Sequence, residues 1–269
     1  MQSAQTASGT VKKALCVLDQ VASFERPVRL NELLETSPYP KGTLYRMLQT
    51  LRSEGMLTYD DVLQTYSLGI RLVRLAHAAW TQSSLAPVAR PILDALSKSI
   101  GETIHLAQLD NAQVLYVDKR NAHRPVEMFS QAGKVGPAYC TGVGKAMLAF
   151  LPDGELQRAL DQQSYHRFTP HTLASVEKLT EELTNIRARG YAFDREEHEP
   201  GIICIAMPIL THSKRVIGAI SVTSTTSRTS LDKLEALAPK MRQAADTIAE
   251  TAEHWRFPVE QKSKEPMGS

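Results

Sequence analysis

The sequence predicts an α+β fold in two parts. A small helical unit closed by a β-hairpin comes first; after a linker helix there follows a larger unit of antiparallel strands with flanking helices. Three observations predict it. Residues 28–55 hold two short apolar stripes at helical spacing with a Pro-containing break between them. Two β-prone runs, 56–59 and 66–68, follow directly. From 103 to 223, apolar runs of strand length are interleaved with helical stripes. At 269 residues and 42% hydrophobic, the chain can bury a core in each part.

Residues 1–9 are small and polar and are expected to form a disordered arm, which places the first folded unit at 10–68. Val11, Ala14, Leu15, Leu18, Val21 and Ala22 form a helical stripe over 11–24. Leu30, Leu33 and Leu34 carry a second, short helix, which Ser37, Pro38 and Pro40 interrupt. Leu44, Met47, Leu48 and Leu51 then recur at spacings of three and four. Pro40 and Thr43 suit a helix start, and Gly55 stands where a left-handed residue closes a helix. Two short helices joined by such a turn match the helix-turn-helix pattern; the alternative is an ordinary helix pair with a solvated polar side. The hairpin directly after the second helix would form a wing, so a winged helix-turn-helix is the economical reading. The predicted DNA-facing residues are Arg29, Lys41, Gly42, Thr43, Tyr45, Arg46 and Gln49. Thr43, Tyr45 and Arg46 would meet base edges or phosphates, and Lys41 and Arg29 would hold the backbone. Local placement must do this, because the net charge is only +2 and residues 1–75 carry nine Lys/Arg against seven Asp/Glu.

A linker helix is expected over 69–84, with Leu72, Leu75, Ala76 and Ala79 on one side as a possible dimer contact. The second unit is placed at 85–256. Its expected elements are a helix over 88–100 ended by Gly101 and strands 103–109 and 113–118 joined at Asp110-Asn111, then a third strand at 126–129. Helices follow at 142–150, 155–160 and 176–189, the last capped by Gly190. Strands 202–207 and 216–223 turn around residues 212–214, and one helix spans 231–252. Residues 257–269 are polar and are expected to form a disordered tail.

Several chemistries fail on inspection. Cys16, Cys140 and Cys204 are far apart and no CxxC occurs, so a zinc ribbon or disulfide framework is not expected, and a reducing cytoplasm fits. No apolar run approaches the ~20 residues that span a bilayer, so no membrane partner is expected. Residues 141–145, TGVGK, lack the P-loop Gly (Tyr139 stands there) and the following Ser or Thr (Ala146). Residues 194–199, DREEHE, tempt as a metal or acid/base cluster, but side chains alternate along an extended chain, and a solvated charged loop is the reading adopted. An enzyme using Cys140 or Cys204 with His105, His198 or Asp194 has only residue types in its favour. No catalytic residue, metal or cofactor is therefore assigned.

A binding pocket has more behind it. Gly142 and Val143 open a helix, so their backbone N–H groups can receive an anion. Ser221 and Thr223 share one face of an apolar strand, as do Cys204 and Ala206 on the preceding one. The alternative is that the two hydroxyls satisfy each other or the backbone.

Three stretches, PKGTLYRMLQTLRSEG, AYCTGVGKAMLAF and GYAFDREEHEPGIICIAMPI, resemble the isocitrate lyase regulator (IclR) family of bacterial transcription factors, and the resemblance runs from Val11 to about Trp255. The order Gly-Tyr-x-Phe-Asp-x-Glu-Glu, with Cys204 ten residues after Asp194, is its most specific part. The resemblance implies a winged helix-turn-helix, a linker helix and a GAF/PAS-like effector domain, in dimers that often pair into tetramers. It places an effector pocket on Gly142, Val143, Asp194, Cys204, Ser221 and Thr223, with Met128 as an apolar wall. Two departures bear on ligand size: Val143 stands where Ala is also found, and Thr223 where Ser is found. The Tyr-Cys-Thr start of the pocket helix looks closer to the sugar-acid-responsive, KdgR-like branch. The implied protein is a non-catalytic regulator of a catabolic operon that binds double-stranded operator DNA, with its affinity modulated by a small organic acid. Asp194 would receive a ligand hydroxyl rather than a carboxylate, because like charges repel.

Overall fold

In a computed structural model, residues 3–122, 128 and 130–253 are described. The chain divides into two compact units, Met1–Gln82 and Ser83–Ser269.

The first unit runs α1 (Ser3–Ser23), β1 (Val28–Arg29), α2 (Leu30–Thr36), α3 (Lys41–Ser53), β2 (Leu57–Asp60), β3 (Thr65–Leu68) and α4 (Ile70–Ser83). The apolar stripes of the sequence become its core: Val17, Leu18 and Val21 of α1 meet Leu33, then Leu44, Leu48 and Leu51 of α3, and Leu57 and Tyr66 of the hairpin. Each is nearly or wholly buried, and burying such a side chain contributes about 1.5–3 kcal/mol. α3 ends in a Schellman turn: Met56 N–H donates to Leu51 O at 2.8 Å and Gly55 N–H to Arg52 O at 2.9 Å, with Gly55 at φ 70°. Two features depart from the sequence reading. α1 takes in residues 3–9, where a disordered arm was expected; Ala4, Gln5 and Ala7 are compatible with helix. β1 adds a third strand through Val28 opposite Tyr66, too short to leave a periodic signal.

The second unit runs α5 (Ala86–Ile100), β4 (Thr103–Asp110), β5 (Gln113–Arg120), β6 (Val135–Pro137), α6 (Gly142–Leu148), α7 (Asp153–Asp161), α8 (Val176–Arg189), β7 (Ala192–Arg195), β8 (Ile202–Leu210), β9 (Val216–Thr225), α9 (Leu231–Glu235) and α10 (Ala238–Thr251). The strands form one antiparallel sheet in the order β6-β5-β4-β9-β8-β7. α6 and α8 share a core with the small inward residues Ala107, Ala192, Ala206 and Ala219, which let a helix approach the sheet closely. α5 and α10 pack on each other and on the sheet. The register sets Cys204 opposite Asp194 and Thr223, Ala206 opposite Ser221, and His105 opposite Ser221.

Four corrections concern this unit. The β4–β5 turn is Asn111-Ala112, one residue later than expected, with both residues at positive φ (47° and 62°), as a two-residue hairpin turn demands. A third strand occurs at β6; the strand expected at 126–129 lies outside the described residues apart from Met128. The charged stretch begins as β7 rather than as loop. The single helix expected over 231–252 is broken between α9 and α10, where Pro239 begins a new helix and has no N–H to continue the old one. The expected tail at 257–269 also lies outside the described residues. Among the described residues, no helix is long and apolar enough to cross a membrane, and no group of three metal-ligating side chains assembles.

Candidate functional site

In the first unit, α3 buries Leu44, Leu48 and Leu51, so the opposite face is presented outward. Lys41, Gly42, Tyr45 and Arg46 are exposed and Thr43 is half-buried. Pro40 is the N-cap and offers no side-chain cap, so the first N–H groups of a 13-residue helix stand beside Lys41, where an anion is favoured. Arg29 is exposed at the start of α2, where its own N–H donates to Glu32 at 2.9 Å. Gln49 differs from expectation: its amide reaches back to the Tyr66 hydroxyl at 3.3 Å and braces α3 against the hairpin. Arg52 lies over the Tyr59 ring, 5.1 Å from its centroid. The hairpin tip is acidic and apolar. Asp60 accepts from the N–H groups of Val62 and Leu63 (2.8 and 2.9 Å), and Val62 is 90% exposed. With no Lys or Arg from 57 to 68, phosphate-binding charge must come from the helices rather than from the hairpin.

In the second unit a cavity opens where α6 begins over the sheet. Its lining brings Gly142, Val143, Asp194, Cys204, Ser221 and Thr223 together. Thr141 turns its hydroxyl to Pro137 O at 2.7 Å instead of capping α6, which leaves the first N–H groups of that helix without a side-chain partner. Gly142 is required by close approach: a Cβ there would collide with Cys204 Sγ and come within 3.3 Å of Ala206 Cβ. Ser221 and Thr223 hydroxyls lie 3.3 Å apart, on the shared face that strand alternation predicts. Met128 is buried but is not among the residues lining the cavity.

The lining also includes groups not assigned from the sequence: Tyr116, Ser130, His198, Glu199 and His105. His105 Nε2 is 2.8 Å from Ser130 Oγ, and Nδ1 is 3.3 Å from both Ser221 Oγ and Thr223 Oγ1. Burial, with Lys119 nearby, drives its pKa down to about 3, so the imidazole is neutral. No local signal marks this group, because its partners lie 25 and more residues away.

The stretch 194–199 is not a solvated loop. Asp194 and Glu197 are buried, and Asp194 Oδ1 accepts from Glu197 N–H at 2.8 Å. Glu197 forms an ion pair with Lys145 of α6, itself 0% exposed, and the Glu197 carbonyl accepts from Thr172 Oγ1 at 2.6 Å. The chain turns after β7, which defeats the strand alternation that argued against convergence. Burial first, then the Glu197 charge, pushes the Asp194 carboxyl up to about 7, while Lys145 opposes. Burial likewise raises both the Cys140 and Cys204 thiols, so neither is a ready thiolate.

Residues 10–61 match the IclR helix-turn-helix domain family, and residues 77–250 match the family described as bacterial transcriptional regulator IclR, C-terminal. The chain belongs to the IclR family of transcriptional regulators. It is 32% identical to the HTH-type transcriptional regulator XynR of Escherichia coli over 87% of this chain and 93% of that one. It is 31% identical to E. coli KdgR over 89% of this chain and 91% of that one. Among solved structures, that of Thermotoga maritima IclR superposes with a TM-score of 0.71 at 28% identity, covering 90% of this chain and 98% of that one. These relatives are transcriptional regulators, not enzymes. As an IclR-family member the chain is a ligand-responsive, DNA-binding regulator with an N-terminal helix-turn-helix domain and a C-terminal α+β domain.

Proposed function

We propose that α3 reads operator DNA and that the cavity over α6 holds a small organic acid that changes operator affinity. Thr43, Tyr45 and Arg46 face base edges or phosphates, with Gly42 allowing close approach and Lys41 and Arg29 on the backbone. Gln49 stays with Tyr66 and acts through the position of α3. Supporting the ligand reading is one observation above the rest: the uncapped start of α6 and the hydroxyls of Ser221 and Thr223 line the same cavity. An acid carboxylate docks on the Gly142 and Val143 N–H groups, and the hydroxyl side takes the rest of the molecule, against Asp194 and Cys204.

The space open to the centre of a water-sized sphere is about 30 Å³. One water needs about 10–15 Å³ by that measure, so a short acid is favoured over a sugar acid, which would have to displace side chains. Dimerisation is supported by the exposed apolar residues Val11 and Leu15 on α1 and Ile70, Val73 and Leu75 on α4. A dimer reads two half-sites about one helical turn apart, or multiples of it. The ligand acts only by binding DNA-competent and incompetent states unequally.

The test uses two variants in a gel shift with duplexes selected by the wild-type protein. Arg46→Ala abolishes specific retention and leaves ligand binding intact. Ser221→Ala with Thr223→Val keeps retention and erases the ligand response. Unchanged retention by the first removes Arg46 from the interface, and a persisting response in the second puts the ligand elsewhere.

A further inference from the structure

We infer that His105 sets the ligand specificity of this cavity and that the class it selects is short 2-hydroxy carboxylates. The inference rests on the cavity being the acid site proposed above. Its basis is the arrangement of polar groups opposite the α6 N–H groups.

The ring of His105 is fixed from both sides. Lys119 Nζ donates to the Ser130 carbonyl at 2.8 Å, and the Ser130 hydroxyl sits 2.8 Å from His105 Nε2. Tyr116 lies edge-on to the ring at 5.5 Å between centroids. On the other side, Nδ1, Ser221 Oγ and Thr223 Oγ1 form a triangle whose sides are all 3.3 Å. Bonds between such groups normally span about 2.7–3.0 Å, so this triangle is loose where the Ser130 bond is tight. Three groups able to donate or accept, all facing a cavity and held at long range, gain from an oxygen placed among them.

The acidic side of the lining decides what kind of oxygen. Asp194 and Glu199 also line the cavity, and an ionised carboxylate accepts hydrogen bonds but donates none. A hydroxyl suits both sides: it accepts from the Ser221–Thr223–His105 triangle and donates to a carboxylate. A 2-oxo group can only accept, and a bare methylene does neither and leaves the triangle at its long distances. The short distance from carboxylate to C2 suits a cavity of this size. Because the imidazole is neutral, it presents one donor and one acceptor and no charge to attract a second carboxylate.

The experiment measures binding of lactate, propionate and pyruvate to the full chain by calorimetry. Sites built to hydrogen-bond a hydroxyl discriminate strongly against analogues lacking it. Lactate is expected to bind at least tenfold more tightly than either of the others. His105→Phe and, separately, Thr223→Val should bring the lactate-to-propionate ratio to within about threefold of one. A purely structural role would weaken all three acids together and leave the ratio alone. An unchanged melting transition of the second unit in each variant certifies folding. Propionate or pyruvate binding as tightly as lactate overturns the specificity inference and leaves the acid site standing. An undiminished ratio in both variants removes His105 and its triangle from selection. If none of the three acids binds, the acid-site reading falls, and the inference falls with it.

Discussion

Replacing Glu197 by Gln should cost the second unit about 3–5 kcal/mol, the penalty for leaving one member of a buried ion pair without its counter-charge. The magnitude follows from the surroundings. Lys145 is fully buried in α6, every residue of which is buried, so its ammonium cannot turn out to water. Glu197 is 2% exposed, and its second carboxylate oxygen has no hydrogen-bond partner, so its charge leans on Lys145. For a unit of 150–250 residues, each kcal/mol moves the melting temperature by about 2–4 °C, giving a drop of about 6–20 °C. Calorimetric unfolding of the full chain reads this as a shift of the transition belonging to the second unit. The double change Lys145→Met with Glu197→Leu should recover most of the loss, because replacing a buried pair by apolar groups of similar volume is often neutral or better. It should not recover ligand binding, since the Glu197 side chain holds the turn whose N–H donates to Asp194. A Glu197→Gln protein melting within about 2 °C of wild type would refute the reasoning.

Three further outcomes follow. Gly142→Ala drives a methyl group into Cys204 Sγ, so ligand binding measured by calorimetry should be lost while operator retention persists. Gly55→Ala forces a Cβ into the left-handed region at φ 70° and should cost about 1–2 kcal/mol, which thermal unfolding of the first unit would report. Asp194 and His105 act on stability in opposite senses as pH changes. The raised Asp194 pKa favours folding below its ordinary 3.8, and that contribution is lost as pH rises to about 7. The lowered His105 pKa gives a contribution present above its ordinary 6.5 and lost as pH falls toward about 3. Between pH 4 and 6.5 the two slopes oppose, so Asp194→Asn should expose the His105 slope, a loss of up to about 1.4 kcal/mol per unit of acidification that wild type lacks. Parallel pH–stability curves for the two proteins would contradict the assignment.

Elements with strong period were legible in the sequence, and contacts across long separations were not. The stripe Leu44, Leu48, Leu51 gave α3 its buried face, and with it the exposure of Tyr45 (49%) and Arg46. Strand alternation put Ser221 and Thr223 side by side, as found. By contrast, helical spacing alone points Gln49 outward, because the partner that holds it, Tyr66, belongs to the hairpin. The Lys145–Glu197 pair joins residues 52 apart, and the His105–Ser221 contact joins residues 116 apart. Nothing in either local segment encodes such a meeting, although Lys145 stands between Gly144 and the apolar run Ala146–Phe150. The break between α9 and α10 falls beside Pro239, within an apolar pattern that by itself predicts one continuous helix.

On the proposed function, a small acid over α6 alters the grip of α3 on DNA. Fluorescence anisotropy of a selected, labelled duplex, titrated with protein at increasing lactate, tests it most directly. Coupling of 1–3 kcal/mol predicts a shift in the DNA dissociation constant of about 5–150-fold at saturating acid, absent in the Ser221→Ala, Thr223→Val protein. An identical dissociation constant with and without acid, under conditions where calorimetry shows the acid bound, would contradict it.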